Sequence, residues 1–226
     1  MATTSATLDT TRDRIVTAAT DEFAEYGVAG ARIERIARRA QTSKERLYAY
    51  FRSKQELYRF VAERELATMT RAAALDATDL PGYAGQLHDY FTEHPQRLRL
   101  MHWGRLDVTG DGVSGELFQG VVRRDVEELR RAQAAGQLDP AWDPIDILVL
   151  VNEIAIAWAW QPNLAGLAGL GPGHVRDASP AARRAAIVAA VARLFPATHG
   201  ASTGDGAADG VNPGGTQRGD CSCGNG

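Results

Sequence analysis

With 226 residues and 44% hydrophobic content, the chain can build one ordinary core or a small module plus a larger domain, and wholesale disorder is excluded. Its two cysteines, Cys221 and Cys223, lie at the far C-terminal end and cannot staple a core, which fits a reducing cytoplasm. The net charge is −3, yet residues 31–59 hold nine cations against three anions, so that stretch is +6 and the remainder −9. Such a split points to a polyanion at one end of the chain and a different task at the other.

Ala and Arg are abundant and β-branched runs are scarce, which favours helix. In chain order, residues 1–9 read as a loose arm. A helix from near residue 10 presents Ile15, Ala18, Ala19 and Phe23 on one face and stops at Tyr26-Gly27, where glycine suits a left-handed end. A second helix, from near 31, places Ile33, Ile36, Ala37 and Ala40 at spacings of three and four, leaving its arginines mostly off that face. After a polar turn at Gln41-Thr42, a third helix from Ser43 to about Tyr50 is too short to stand alone and needs Leu47 and Phe51 as anchors. Thr42-Ser43-Lys44-Glu45 and Ser53-Lys54-Gln55-Glu56 read as capping boxes. Asp79 with Pro81, Pro95, Asp143-Pro144 and Ser179-Pro180 mark further starts, with one more near 114. The expectation is an all-α chain of about nine helices and no strands. It divides into an arm (1–9), a cationic three-helix module (10–59), a larger helical domain (60–198) and a glycine-rich disordered tail (199–226).

Residues 31–59 have the layout of a helix-turn-helix, so double-stranded DNA is the first candidate polyanion. A short helix pinned from behind and offering long polar side chains is what reading a major groove requires. Arg46 has the fork that matches guanine, while Arg32, Lys44, Tyr48, Tyr50 and Lys54 suit phosphates. Glu45 would be repelled by phosphates; capping its own helix with Thr42 is the most economical role, and accepting from a cytosine amine is the alternative.

Arg14-Ile15-Val16, Ala19, Phe23, Gly27, Ile36-Ala37, Ala40, Ser43, Leu47-Tyr48-Ala49-Tyr50-Phe51 and Ser53-Lys54-Gln55-Glu56-Leu57 resemble, in order and spacing, the N-terminal domain of TetR-type transcriptional regulators. The resemblance covers about residues 10–60. It implies an all-helical homodimer, usually a repressor, with a ligand-binding C-terminal domain, and it assigns DNA-contacting roles to Ser43, Lys44, Arg46, Tyr48, Tyr50 and Lys54. Three sites, five residues in all, depart from the family pattern. Ala31-Arg32 stands where hydroxyl residues usually open the second helix, Gln41 replaces a small turn residue, and Glu45-Arg46 occupies a place where small residues are common. With Arg32 and Thr42 added, these residues form the expected DNA-binding set.

The helix from Asp143 is apolar almost all round, which predicts burial on every side, most simply against a second copy of the chain. Together with the alanine-rich helix from Ala181 to about Phe195 it resembles the four-helix dimer interface of the TetR type. His88, Phe91, Met101, His102, Trp103, Phe118, Glu153 and Trp158 are the expected ligand contacts, since cavities combine aromatics with a few polar groups. Glu153 interrupts an apolar run; it would pair with an arginine, meet a cationic or hydroxyl-bearing effector, or face the dimer axis. Residues 161–178 read as a connecting loop.

Catalytic and metal motifs fail. Gly112-Val113-Ser114-Gly115-Glu116 lacks the last glycine of a nucleophile elbow, and the calcium-like run from Asp107 has Phe118 where a glutamate is needed. Gly169-Leu170-Gly171-Pro172-Gly173 is no dinucleotide fingerprint, and Cys221-Ser222-Cys223 is a poor metal site. The longest apolar run, Ile147–Trp160, is shorter than the roughly 20 residues of a membrane span. The expectation is a cytoplasmic homodimeric regulator, not an enzyme. It would bind a palindromic operator and be released by a largely apolar small molecule, with no cofactor or metal and no membrane association. A DNA-binding regulator without effector and a helical enzyme or carrier are the alternatives.

Overall fold

The computed structural model describes residues 3–106, 116–160, 167–169 and 179–196. Among them are nine helices: α1 (Thr3–Gly30), α2 (Ile33–Arg39), α3 (Lys44–Tyr50), α4 (Lys54–Ala72), α5 (Leu80–Glu93), α6 (Pro95–Leu106), α7 (Glu116–Ala134), α8 (Pro144–Trp160) and α9 (Pro180–Leu194). No strand occurs among the described residues. The calcium-like run from Asp107, most of the elbow-like segment, nearly all of the 161–178 connection and the tail with both cysteines lie outside them.

Most helix starts follow the capping chemistry. Ser53 Oγ accepts from Glu56 N at 3.0 Å, Asp79 Oδ1 from Gly82 N at 2.8 Å, and Ser179 Oγ from Ala182 N at 3.1 Å. Two details differ from expectation. α1 begins at Thr3, ahead of the start expected near residue 10, because the segment holds no glycine or proline to stop a helix. α3 is capped by Ser43, not Thr42: Ser43 Oγ accepts from Arg46 N at 3.1 Å, whereas Thr42 Oγ1 is buried with no hydrogen bond among the described residues.

Two cores result. The first joins Ile15, Ala19 and Phe23 of α1, Ile36 of α2, Leu47 of α3 and Leu57, Tyr58 and Val61 of α4, so the short reader helix is held from behind as its length demands. Leu100 of α6 is fully buried in this same core. The second core joins α5, α7, α8 and α9 around Tyr83, Leu87, Phe91, Leu129, Val151 and Val191. Helix α4, roughly 28 Å long at the usual rise per residue, contributes to the first core at one end and reaches the second with Met69 at the other.

The burial expected all round α8 is incomplete within the single chain. Ile147, Leu148, Val151, Ala155 and Ile156 are buried, but Ile145 and Val149 are 44% and 52% exposed, in line with Glu153 and Ala157. An apolar stripe is left uncovered beside the alanine-rich outer face of α9.

Candidate functional site

The cationic face of the first module is open. Arg32, Ser43, Lys44, Arg46 and Tyr48 are exposed, Thr42, Tyr50 and Lys54 half-buried. Of these cations, Lys44 is occupied: its Nζ lies 2.5 Å from Glu34 Oε1 on α2, and that pairing raises the lysine's pKa and lowers the glutamate's. Lys54 Nζ donates to the carbonyls of Ala31 (3.2 Å) and Ala29 (3.4 Å), tying the start of α4 to the end of α1. Arg46 projects from the first turn of α3 and pairs with no carboxylate among the described residues. Glu45 has its pKa lowered by its own backbone N–H and by Ser43, so its carboxylate turns back on its own helix, with Ser43 in the place expected for Thr42.

Arg32 is the N-cap of α2 but its side chain makes no cap bond. The acceptor comes from elsewhere: Glu22 of α1, 2% exposed, takes the Arg32 N–H at 2.9 Å and Arg35 Nε at 2.6 Å. A buried carboxylate thereby satisfies the N–H of the N-cap residue itself, not the first-turn N–H groups a hydroxyl cap would take, and is neutralised by Arg35. The turn before α3 is held in the left-handed region by Gln41 at φ 52, with Thr42 N–H closing on the Ala37 carbonyl at 3.0 Å.

In the larger domain a cavity of about 290 Å³ lies between α4, α5, α6, α7 and α8. Its wall is mostly aliphatic and aromatic, with Leu66, Met69, Phe91, Met101, Phe118 and Trp160 among the lining residues. The His102 ring sits tilted against Trp160, with centroids 4.4 Å apart. The polar lining includes Thr70 and His102 besides two hydrogen-bonded pairs: Tyr83 Oη donates to Asn152 Oδ1 at 2.8 Å, and Asp125, 6% exposed, accepts from Nη2 at 2.7 Å and Nε at 3.0 Å of Arg124, which also lines the cavity. Burial pushes the Asp125 carboxyl above the usual carboxylate value despite Arg124, and burial together with the nearby Asp125 charge raises Tyr83. A second hollow, bounded by His88, Thr92, Arg99, Trp158 and Arg183, adjoins the first, with Phe91, Leu98 and Trp160 shared between them.

Residues 15–61 match the family model for bacterial regulatory proteins of the tetR family, and residues 79–193 match that for a tetracyclin repressor-like C-terminal domain. The chain belongs to the TetR family of transcriptional regulators. It is 35% identical over 152 residues to the HTH-type transcriptional repressor SCO4008 of Streptomyces coelicolor, covering 67% of this chain and 79% of that one. It is 31% identical over 141 residues to the repressor NicS of Pseudomonas putida, covering 58% and 61%. Among solved structures, the transcriptional regulator SCO4942 of Streptomyces coelicolor superposes with a TM-score of 0.73 at 51% identity, covering 83% of this chain and 99% of that one.

In this TetR regulator the residues expected around a ligand divide three ways. Phe91, Met101, His102 and Phe118 line the main cavity; His88 and Trp158 line the adjoining hollow. Trp103 and Glu153 line neither. Glu153 is exposed on the uncovered face of α8, away from both hollows. Trp103 lies against the head: its indole N–H donates to the Ala24 carbonyl at 3.3 Å, and its ring covers Gly27. Sequence reasoning missed Asp125, whereas Tyr83, as an aromatic, and Asn152, as a polar residue inside an apolar run, stood out as candidates. Asp125 stands in Arg123-Arg124-Asp125-Val126-Glu127-Glu128, which reads as a solvated helix face.

Proposed function

We propose that this TetR regulator is a cytoplasmic homodimeric repressor whose two heads read a palindromic operator, and that a small, largely apolar effector in the main cavity releases it. The observation that carries the reading is the division of labour along α6. Leu98, Met101 and His102 line the cavity, while the interleaved Leu100 and Trp103 belong to the head's packing. Tyr58 of α4 donates to the Leu100 carbonyl at 3.3 Å, fastening the same helix to α4. An occupant that displaces α6 therefore shifts the head directly, and α4 alongside it. Two reader helices must sit about 34–36 Å apart to enter successive grooves, so a small displacement loses both contacts. A coupling of about 1–3 kcal/mol suffices for a useful response.

Pairing of the uncovered α8 and α9 faces with those of a second copy supports the dimer, since it would cover Ile145 and Val149. A regulator lacking an effector is the competing reading, and the cavity argues against it because a purely structural domain has no need of a void of that size. The test is selection of duplexes from a random pool, followed by measurement of release by a mixed compound library. A palindromic consensus and at least one releasing compound are expected. Indifference to every duplex at low salt would overturn the reading.

A further inference from the structure

The polar corner of the main cavity has a charge asymmetry that the general reading does not use. Asp125 has an 8% exposed side chain, while the Arg124 that pairs with it is 50% exposed. Both Arg124 bonds fall on one oxygen, Oδ1. The other oxygen accepts no bond among the described residues, and Asp125 lines the cavity. The guanidinium keeps much of its hydration and gains little from a ligand anion. The carboxylate has lost much of its hydration and is only partly compensated, so a cation or strong donor arriving from the cavity side is worth most there. An anion would be placed against Asp125. The nearby Tyr83 oxygen adds an acceptor, its own proton being directed to Asn152. Trp160 and Phe118 supply aromatic walls, whose faces also attract ammonium groups.

We propose that the effector is a protonated hydrophobic amine, its ammonium on Asp125 and its hydrocarbon body among Phe118, Met101 and Trp160. The volume of about 290 Å³ is at the small end of ligand cavities, which run about 300–1,000 Å³, so the amine is compact. This rests on the reading of the cavity as the effector site.

The experiment is calorimetric titration of the full chain with three ligands of one skeleton: phenylbutylamine, phenylbutanol and phenylbutanoate. The amine is expected to bind at least about tenfold tighter than the alcohol, a difference of about 1.4 kcal/mol, and the carboxylate weakest. Asp125→Asn should bring the amine-to-alcohol ratio towards one. Arg124→Ala, at an exposed side chain, removes the competing cation and should tighten the amine further; this variant decides the matter if Asp125→Asn does not fold. A preference for the alcohol or carboxylate, an amine preference that survives Asp125→Asn, a weaker amine in Arg124→Ala, or no binding of any of the three overturns the proposal. Release of the selected operator by a neutral or anionic compound would sink the amine and leave the effector reading standing, whereas a library that releases nothing would sink both.

Discussion

Gly27 adopts φ 66 and ψ 179, a region open essentially to glycine alone, and a Cβ there would come within 3.0 Å of the Trp103 ring. The residue serves twice, ending the regular part of α1 and letting an indole from the ligand domain lie on the head. Gly27→Ala should therefore cost about 1–3 kcal/mol of stability from the backbone alone, measured by urea unfolding, and should also disturb the fit of α6 on α1. Arg46 has the opposite character. It is exposed and bound to no carboxylate among the described residues, so its replacement costs the free protein little. Arg46→Ala is expected to leave the unfolding midpoint unchanged and to weaken operator binding by about 1–3 kcal/mol per half-site while relaxing preference at one base pair. Unchanged affinity for the selected duplex would show that another side chain reads the groove.

Among the elements, α3 is the most dependent on its surroundings. At seven residues it is below the length at which a helix persists alone, and its first turn relies on Ser43 Oγ accepting the Arg46 N–H. Ser43→Ala should cost about 1 kcal/mol, seen in unfolding and as faster amide exchange at Glu45 and Arg46. Helix α6 is fastened on several sides. Arg97 Nη1 donates to Tyr90 Oη of α5 at 2.8 Å, and Arg97 Nε lies 3.1 Å from Glu65 of α4. The Glu65 oxygen lies at ion-pair distance although its geometry is not that of a hydrogen bond, so this contact is electrostatic. A helix held to α1, α4 and α5 moves as a rigid piece, which is what a lever between cavity and head requires.

For the whole molecule, the uncovered stripe on α8 and the buried charge at Asp125 carry separate expectations. Val149→Glu places a carboxylate in the proposed seam. An uncompensated buried charge costs about 3–5 kcal/mol, so this variant should sediment as a monomer at concentrations where the parent is a dimer, and lose operator affinity with it. Asp125 bears on pH. Its folded-state pKa is raised above the ordinary 3.8, principally by burial, so the folded form holds the proton more tightly than the unfolded chain does. Its contribution to stability is fully present below the unfolded value and is lost as pH rises through the folded one. Asp125→Asn should therefore raise the melting temperature at neutral pH, with the gain shrinking as the solution is acidified towards pH 4. A gain that is constant with pH would show that the carboxylate is not destabilised by its site.

Helix existence, order and most starts were legible in the sequence because caps, prolines and apolar spacing act within a few residues, as at Ser53, Asp79 and Ser179. So was the cationic helix-turn-helix, since charge and spacing survive without tertiary context. The split along α6 was not legible: Met101, His102 and Trp103 are consecutive, and only the packing of α1 on one side and of α4 and α5 on the other sends the first two to the cavity and the third to Gly27. Nor were the roles of the acids. Glu153 lies in an apolar run and is exposed, while Asp125 lies in a charged run and is buried. Local pattern decides where a helix forms, but burial depends on which helices far apart in the chain come to lie against it, and that is set by tertiary packing alone.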